Sequence, residues 1–413
     1  MRDYLEEITL KPLTGIPVAV AILLFSFLLV RYIGEGLINY VAGPIFEKFY
    51  RPFITIISSL LGSEGFIHDL LVGQLIEGSI DFEQSFGVLT TGLYIPFAAV
   101  LPYIIAFYLM LGILEDTGFL PRLAVLVDNV MHRVGLHGYS IIPMILGFGC
   151  NVPAALAART LDSRREKFIA STLMAIAIPC MAQTAMVFGL LGAYGVRYIV
   201  FVYAALFLVW IVIGLILDEM LPGYSSDLLL EIPAFRFPGP RTVMKKLWMR
   251  VSGFLREALP FVIFGVLLVN FLYIIGIFRY FTEFFGPFFS YFFGLPREAV
   301  VALLMGFLRK DLAMGMLAPL GLTAHQLVVA STILTIYFPC AATFVVLVRE
   351  LGVSDMLKAV LIMLAVTLFV GGGMNFILGG WSNLLLGILI IIGVFLFIFS
   401  PWGTKGLKDK LRG

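Results

Sequence analysis

An interrupted apolar motif that occurs twice constrains this chain more than any other feature. Ile178-Pro179-Cys180 returns as Phe338-Pro339-Cys340, and the Gly147-Phe148 that opens Gly147-Phe148-Gly149-Cys150-Asn151-Val152-Pro153 returns as Gly306-Phe307. Leu101-Pro102 pairs with Leu259-Pro260 in the same way. The partners of Pro102, Gly147 and Pro179 lie 158, 159 and 160 residues downstream. So small a drift marks two homologous halves. Paired hydrophobic segments broken by Gly and Pro are the sequence mark of a transporter whose site lies between its repeats.

The chain around these motifs is 61% hydrophobic and 13% charged, and its 38 Phe outnumber its 28 Lys and Arg. Such a composition cannot cover a water-soluble surface, so the expected environment is a bilayer. A balance of 28 basic against 26 acidic residues argues against nucleic acid as a partner. The three cysteines have no CxxC spacing and form no disulfide framework. Met1-Arg2-Asp3-Tyr4-Leu5-Glu6-Glu7 is acidic and leads into a long apolar run, which reads as a retained span.

A span needs roughly 17–25 apolar residues to cross about 30 Å of hydrocarbon. Eight stretches qualify: 17–33, 90–115, 168–192, 197–217, 257–279, 324–348, 356–374 and 383–400. Two more are interrupted: 139–158 by Pro143, Gly147, Gly149 and Pro153, and 297–319 by Arg309-Lys310-Asp311. The basic clusters Arg159/Arg164/Arg165/Lys167, Arg241/Lys245/Lys246/Arg250/Arg256 and Lys405/Lys408/Lys410/Arg412 place those loops and the tail in the cytoplasm. Both termini are then cytoplasmic only if 297–319 enters from outside and turns back, and 139–158 does the same from the cytoplasmic side. Broken backbone at membrane depth is tolerated where protein buries it or it lines a cavity.

The expected fold is therefore all-α and polytopic, with about eight transmembrane helices and two inverted repeats, each carrying a re-entrant broken segment. Residues 1–86 hold the first span and amphipathic outer-surface helices, 87–217 the first repeat, 218–256 a basic cytoplasmic linker, 257–374 the second repeat, and 375–413 the last span and tail. Helices leading into the re-entrant segments are expected over 118–135 and 280–295.

Gly147, Gly149 and Pro153 free backbone groups from helical bonding, so this turn and Gly306 either offer carbonyls to an ion or let helices pack closely. Every cysteine of the chain lies in a broken motif, with Met181, Gln183, Thr184 and Thr343 alongside. Buried cysteines are commonly small hydrophobes; this clustering favours a passing soft or borderline metal at Cys150, Cys180 and Cys340. Glu115 and Asp116 end the 90–115 stretch and are either carboxylates at the mouth of the path or interfacial and inert. Lys310 and Asp311 belong to the path-lining set with Asn151, Asp311 neutralising a neighbouring cation. His68, His132, His137 and His325 read as surface or interface residues. The sequence has no Gly-Lys dipeptide, hence no phosphate loop of the GxxxxGK[ST] kind, and nothing in it suggests an enzyme.

These motifs, taken in order with Lys11-Pro12-Leu13-Thr14-Gly15-Ile16-Pro17, Leu114-Glu115-Asp116-Thr117-Gly118-Phe119-Leu120-Pro121-Arg122, Gly135-Leu136-His137-Gly138, Arg159-Thr160-Leu161, Gly306-Phe307-Leu308-Arg309-Lys310-Asp311 and Tyr337-Phe338-Pro339-Cys340-Ala341-Ala342-Thr343, resemble the membrane part of the ferrous iron transport protein B family. The resemblance runs from about Thr9 to about Pro401. It implies gate-type inverted repeats and Fe²⁺ uptake across the inner membrane, with Fe²⁺ as substrate and no resident cofactor. The family begins with a cytosolic GTP-binding domain, and here the membrane part starts almost at once. Either a separate cytosolic GTPase serves the chain, or it is a fragment, or it carries another substrate. A small accessory protein, membrane lipid and a homo-oligomer complete the expected partners. Gate repeats also resemble parts of nucleoside transporters, so carriage of nucleosides or other small organic solutes is the alternative; a membrane scaffold without transport is the third reading.

Overall fold

The structure, a computed structural model, describes residues 12–62, 65–73, 80, 82, 85, 87–222, 235–257, 259–260, 263–264, 267, 271, 275–308 and 310–379. Its helices, in chain order, are α1 (Leu13–Leu61), α2 (Phe66–Leu71), α3 (Thr91–Asp116), α4 (Phe119–Arg133), α5 (Ile141–Gly149), α6 (Asn151–Ala157), α7 (Arg164–Ala177), α8 (Met181–Leu191), α9 (Val196–Met220), α10 (Pro240–Glu257), α11 (Ile277–Phe293), α12 (Ala299–Leu308), α13 (Lys310–Leu317), α14 (Ala324–Ile336), α15 (Ala341–Leu351) and α16 (Val353–Gly379). Among the described residues six helical segments are long and apolar enough to cross a membrane: α1, α3, α7 with α8, α9, α14 with α15, and α16. The protein is an all-α, multi-pass membrane protein. The expected span 383–400 lies outside the described residues, as do nearly half of 257–279, much of the 218–240 linker and Arg309.

The chain divides into two compact units, one of residues 1–126 and 229–277, the other of 127–228 and 278–413. In the first, α1 packs on α3, and α3 on α10. Gly34 makes the α1–α3 approach possible, since a Cβ there would stand 2.4 Å from the Tyr103 ring. Amphipathic helices are expected over 34–86, and there α1 runs on to Leu61 without a break. Its 49 residues measure about 73 Å, more than twice the hydrocarbon core. Pro44 and Pro52 look like helix ends in the sequence, but wider π-type turns at Ile38–Ala42 and Phe46–Tyr50 carry the backbone past them. Phe46, Tyr50, Phe82 and Tyr94 then form an aromatic cluster on the distal half of α1, where the Tyr50 hydroxyl donates to the Leu89 carbonyl at 2.7 Å. His68 is buried there against the Ser58 hydroxyl at 2.9 Å and is no surface residue.

In the second unit the expected broken segments are the pairs α5/α6 and α12/α13, each packed half against half. With 9, 7, 10 and 8 residues, no half exceeds about 15 Å, so none crosses a membrane alone. The pairs exchange partners: α6 of the first repeat lies on α15 of the second, and α13 of the second lies on α8 of the first. Local chemistry fixes the ends of the flanking helices. Ser163 caps α7 by accepting from the Glu166 N–H at 3.1 Å, and Thr323 and Gln326 form a capping box on α14. Both helices stop before Pro179 and Pro339.

Ion pairs tie the repeats together at one edge of this unit. Arg164 reaches the buried carboxylate of Asp355 at 2.8 Å, which Lys358 also meets at 2.7 Å, and Arg159 pairs with Glu350. His137, expected at a surface or an interface, is buried with its Nε2 3.3 Å from the carboxylate of buried Glu166, which holds the imidazole above its ordinary range.

Candidate functional site

Proline chemistry creates the site. Pro179 and Pro339 have no N–H, so the carbonyls four residues earlier, Ala175 and Thr335, lose their helical donor. Cys180 and Cys340 follow in extended backbone, with φ/ψ of −70°/170° and −61°/156°, and begin α8 and α15 as N-caps. The Cys180 N–H donates to Gln183 Oε1 at 2.8 Å, and Gln183 Nε2 donates across to the Leu334 carbonyl at 3.3 Å. Buried Gln183 thus joins the two broken motifs. Its counterpart Thr343, fully buried, meets Cys340 Sγ through its hydroxyl at 3.2 Å.

Lys310 opens α13 and is 5% exposed. Its Nζ donates to the Thr335 carbonyl at 3.1 Å, the group that Pro339 frees. Lys310 is within electrostatic reach of Cys180 and Cys340, and Cys150 of both other cysteines. Cys150 is half-buried, at the extended break between α5 and α6. Asn151, next to it, is buried, and its Oδ1 accepts no hydrogen bond among the described residues. Met181 and Thr184 are buried in the first turn of α8. Gly149 ends α5, half-buried.

The glycines serve close packing. A Cβ on Gly306 would stand 2.5 Å from Leu334 Cδ2, 2.9 Å from the Tyr337 hydroxyl and 3.0 Å from Ala313 Cβ; at Gly147 the nearest atoms, of Met174 and Ile178, are 3.1 and 3.2 Å away. The side chain of Asp311 lies outside the described residues.

Glu115 and Asp116, expected at the mouth of a metal path, are occupied otherwise. Lys246 Nζ lies 2.9 Å from Glu115 Oε1, Arg250 Nη2 lies 2.7 Å from Glu115 Oε2, and Asp116 accepts the Gly239 N–H at 2.8 Å. These contacts bind α10 to the end of α3. A carboxylate engaged by two cations is a poor ligand until they leave. Among the described residues no three His, Cys, Asp or Glu come together as a metal-binding group.

Sequence reading missed one pattern in this unit. Ala170-Ser171-Thr172 and Ala330-Ser331-Thr332 are the same triplet, each with its Ser eight residues before the proline. Ser171 and Ser331 are buried, and neither hydroxyl has a hydrogen-bond partner among the described residues. Comparing the segments before Pro179 and Pro339 residue by residue would have exposed them.

Comparison with known proteins agrees with this geometry. The Gate family model, described as nucleoside recognition, matches residues 97–194 and again 255–354, with starts 158 and ends 160 residues apart. The model for the C terminus of ferrous iron transport protein B matches 199–250. The chain is thus similar to the membrane part of the ferrous iron transport protein B family. A relative named Fe(2+) transporter FeoB from Methanocaldococcus jannaschii is 28% identical over 73% of this chain and 50% of its own length. A relative of the same name from Staphylococcus aureus is 27% identical over 66% of this chain and 39% of its own. A fusion of Fe(2+) transport protein A with Fe(2+) transporter FeoB, from Porphyromonas gingivalis, is 31% identical over 42% of this chain and 21% of its own. The chain thus spans about half the length of the first of these relatives, and less of the others. No solved structure matches it.

Proposed function

We propose that this chain carries Fe²⁺ across the cytoplasmic membrane along the exchanged broken helices of its second unit. The observation that carries the reading is that α13 of the second repeat lies on α8 of the first, where buried Lys310 meets the carbonyl that Pro339 frees and Cys180 and Cys340 begin the helices after the breaks. Fe²⁺ is borderline in softness, so thiolate, carboxamide and carbonyl together suit a site that strips water yet releases its ion. The relatives' names point to the same cargo. Glu115 and Asp116 act in this reading as the clasp on α10. Catalysis has no place in it. A separate cytosolic GTPase and a small accessory protein are its partners, the second because a fusion relative carries an Fe(2+) transport protein A in the same chain.

The test is flux. Purified protein in liposomes is expected to admit Fe²⁺ under reducing conditions at several times the rate of Mg²⁺, with no uptake of uridine. Nucleoside uptake without metal flux would establish the organic-solute reading instead. Orientation has its own check, because the basic loops place Asp162 in the cytoplasm and Ser290 outside. Both are exposed. A cysteine at Asp162 is expected to react with an impermeant maleimide only in inverted vesicles, and one at Ser290 only in intact cells. Labelling from the opposite sides would refute the inverted arrangement.

A further inference from the structure

The duplicated site is filled unequally. The 159-residue offset that pairs Gly147 with Gly306 also pairs Asn151 with Lys310, and each is the first residue of the helix after its break. The 160-residue offset that pairs Pro179 with Pro339 pairs Ala175 with Thr335, the two carbonyls freed by those prolines. In the second repeat the freed carbonyl faces a buried ammonium, Lys310 Nζ at 3.1 Å, with Cys180 and Cys340 in electrostatic reach. The carbonyl that could serve a cation is thus already taken by a side-chain cation. In the first repeat the matching residue brings no charge. Asn151 is 5% exposed, and its Oδ1 is buried without a donor among the described residues. A buried acceptor left unpaired is costly, and a cation would satisfy it.

We propose that Lys310 is a tethered cation filling the second-repeat half of a duplicated cation site, so that the transported divalent metal binds only in the first-repeat half, on Asn151 Oδ1 and a cysteine thiolate. The inference rests on the Fe²⁺ transport reading and adds to it the position and number of the bound ions. Two divalent ions in neighbouring halves would repel each other strongly at low dielectric. A fixed single charge in one half keeps a second divalent ion out and leaves one vacancy for the cargo.

Co²⁺ titration of the full chain in detergent, read by thiolate-to-metal charge-transfer absorption and by calorimetry, decides the matter. The unaltered protein is expected to bind one equivalent, and Lys310→Met a second, at the emptied half. Lys310→Arg keeps the charge and is expected to bind one. Asn151→Leu is expected to lose the single equivalent, and Asn151→Leu with Lys310→Met to regain one. Identical isotherms for the unaltered protein and Lys310→Met would overturn the proposal, as would an unchanged equivalent in Asn151→Leu. If Lys310→Met fails to accumulate, Lys310→Gln removes the same charge and carries the same expectation, and the Asn151→Leu arm stands by itself. Failure of the transport reading looks different: the unaltered chain then carries no Fe²⁺ in liposomes and binds no Co²⁺. Fe²⁺ flux and one bound Co²⁺, with no gain on removing Lys310, would sink this inference alone.

Discussion

Valine in place of Gly306 is expected to destabilise the second unit by about 1–3 kcal/mol and to abolish flux, whereas alanine in place of Gly147 is expected to be close to neutral. The two glycines hold the same place in the two copies of the motif, so chemistry at the substituted residue does not separate them. Their surroundings do. At Gly306 a new Cβ meets Leu334 Cδ2 at 2.5 Å, the Tyr337 hydroxyl at 2.9 Å and Ala313 Cβ at 3.0 Å. Tyr337 cannot swing aside freely, because its hydroxyl donates to the Leu303 carbonyl at 2.6 Å, and Leu334 is buried on all sides. Valine adds two methyl groups to that clash. At Gly147 the contacts of 3.1 and 3.2 Å ask Met174 and Ile178 to give by a few tenths of an ångström, and the gain in helix propensity, up to about 1 kcal/mol, offsets it. Thermal unfolding in detergent checks both; equal shifts would show that the packing around Gly306 has been misread. The loss of flux follows because Tyr337 and Leu334 sit on the broken turn that presents Thr335 to Lys310.

What the sequence made legible here is local and covalent. Proline removes a donor wherever it stands, so Pro179 and Pro339 announce broken helices with Cys180 and Cys340 just beyond them, and the structure has α7 end at Ala177 and α14 at Ile336. Apolar length likewise announces most of the spans. Contacts that depend on how α6 meets α15 and α13 meets α8 leave no local trace. Gln183 reaches the Leu334 carbonyl 151 residues away, and Arg164 reaches Asp355 191 residues away. The partners of Glu115 and Asp116 stayed hidden for a different reason. Lys246 and Arg250, four apart on one face of α10, were read only for membrane orientation, although carboxylates at a span end need cationic partners and these two supply them.

Replacing both Cys180 and Cys340 by serine is expected to lower Fe²⁺ flux at least tenfold, and either replacement alone severalfold, with folding and membrane insertion retained. Serine isolates the sulfur because it preserves everything else these residues do. It is a good N-cap in the extended conformation both positions adopt, so α8 and α15 keep their starts. The bond from the residue-180 N–H to Gln183 Oε1 is made by backbone and survives, and a serine hydroxyl at 340 can still meet Thr343. What disappears is the capacity to ionise. A thiol in apolar surroundings stays protonated until an arriving metal lowers its pKa enough to yield a thiolate, while a serine hydroxyl lies too far up the scale to follow. Fe²⁺ then loses the thiolates of these two positions and must shed water against Cys150 and neutral oxygens. Fe²⁺ uptake into liposomes, alongside thermal midpoints of the same preparations, separates the possibilities. Unchanged flux in a protein lacking all three cysteines would make the thiols packing residues and move the cation onto Asn151 and the carbonyls freed by Pro179 and Pro339.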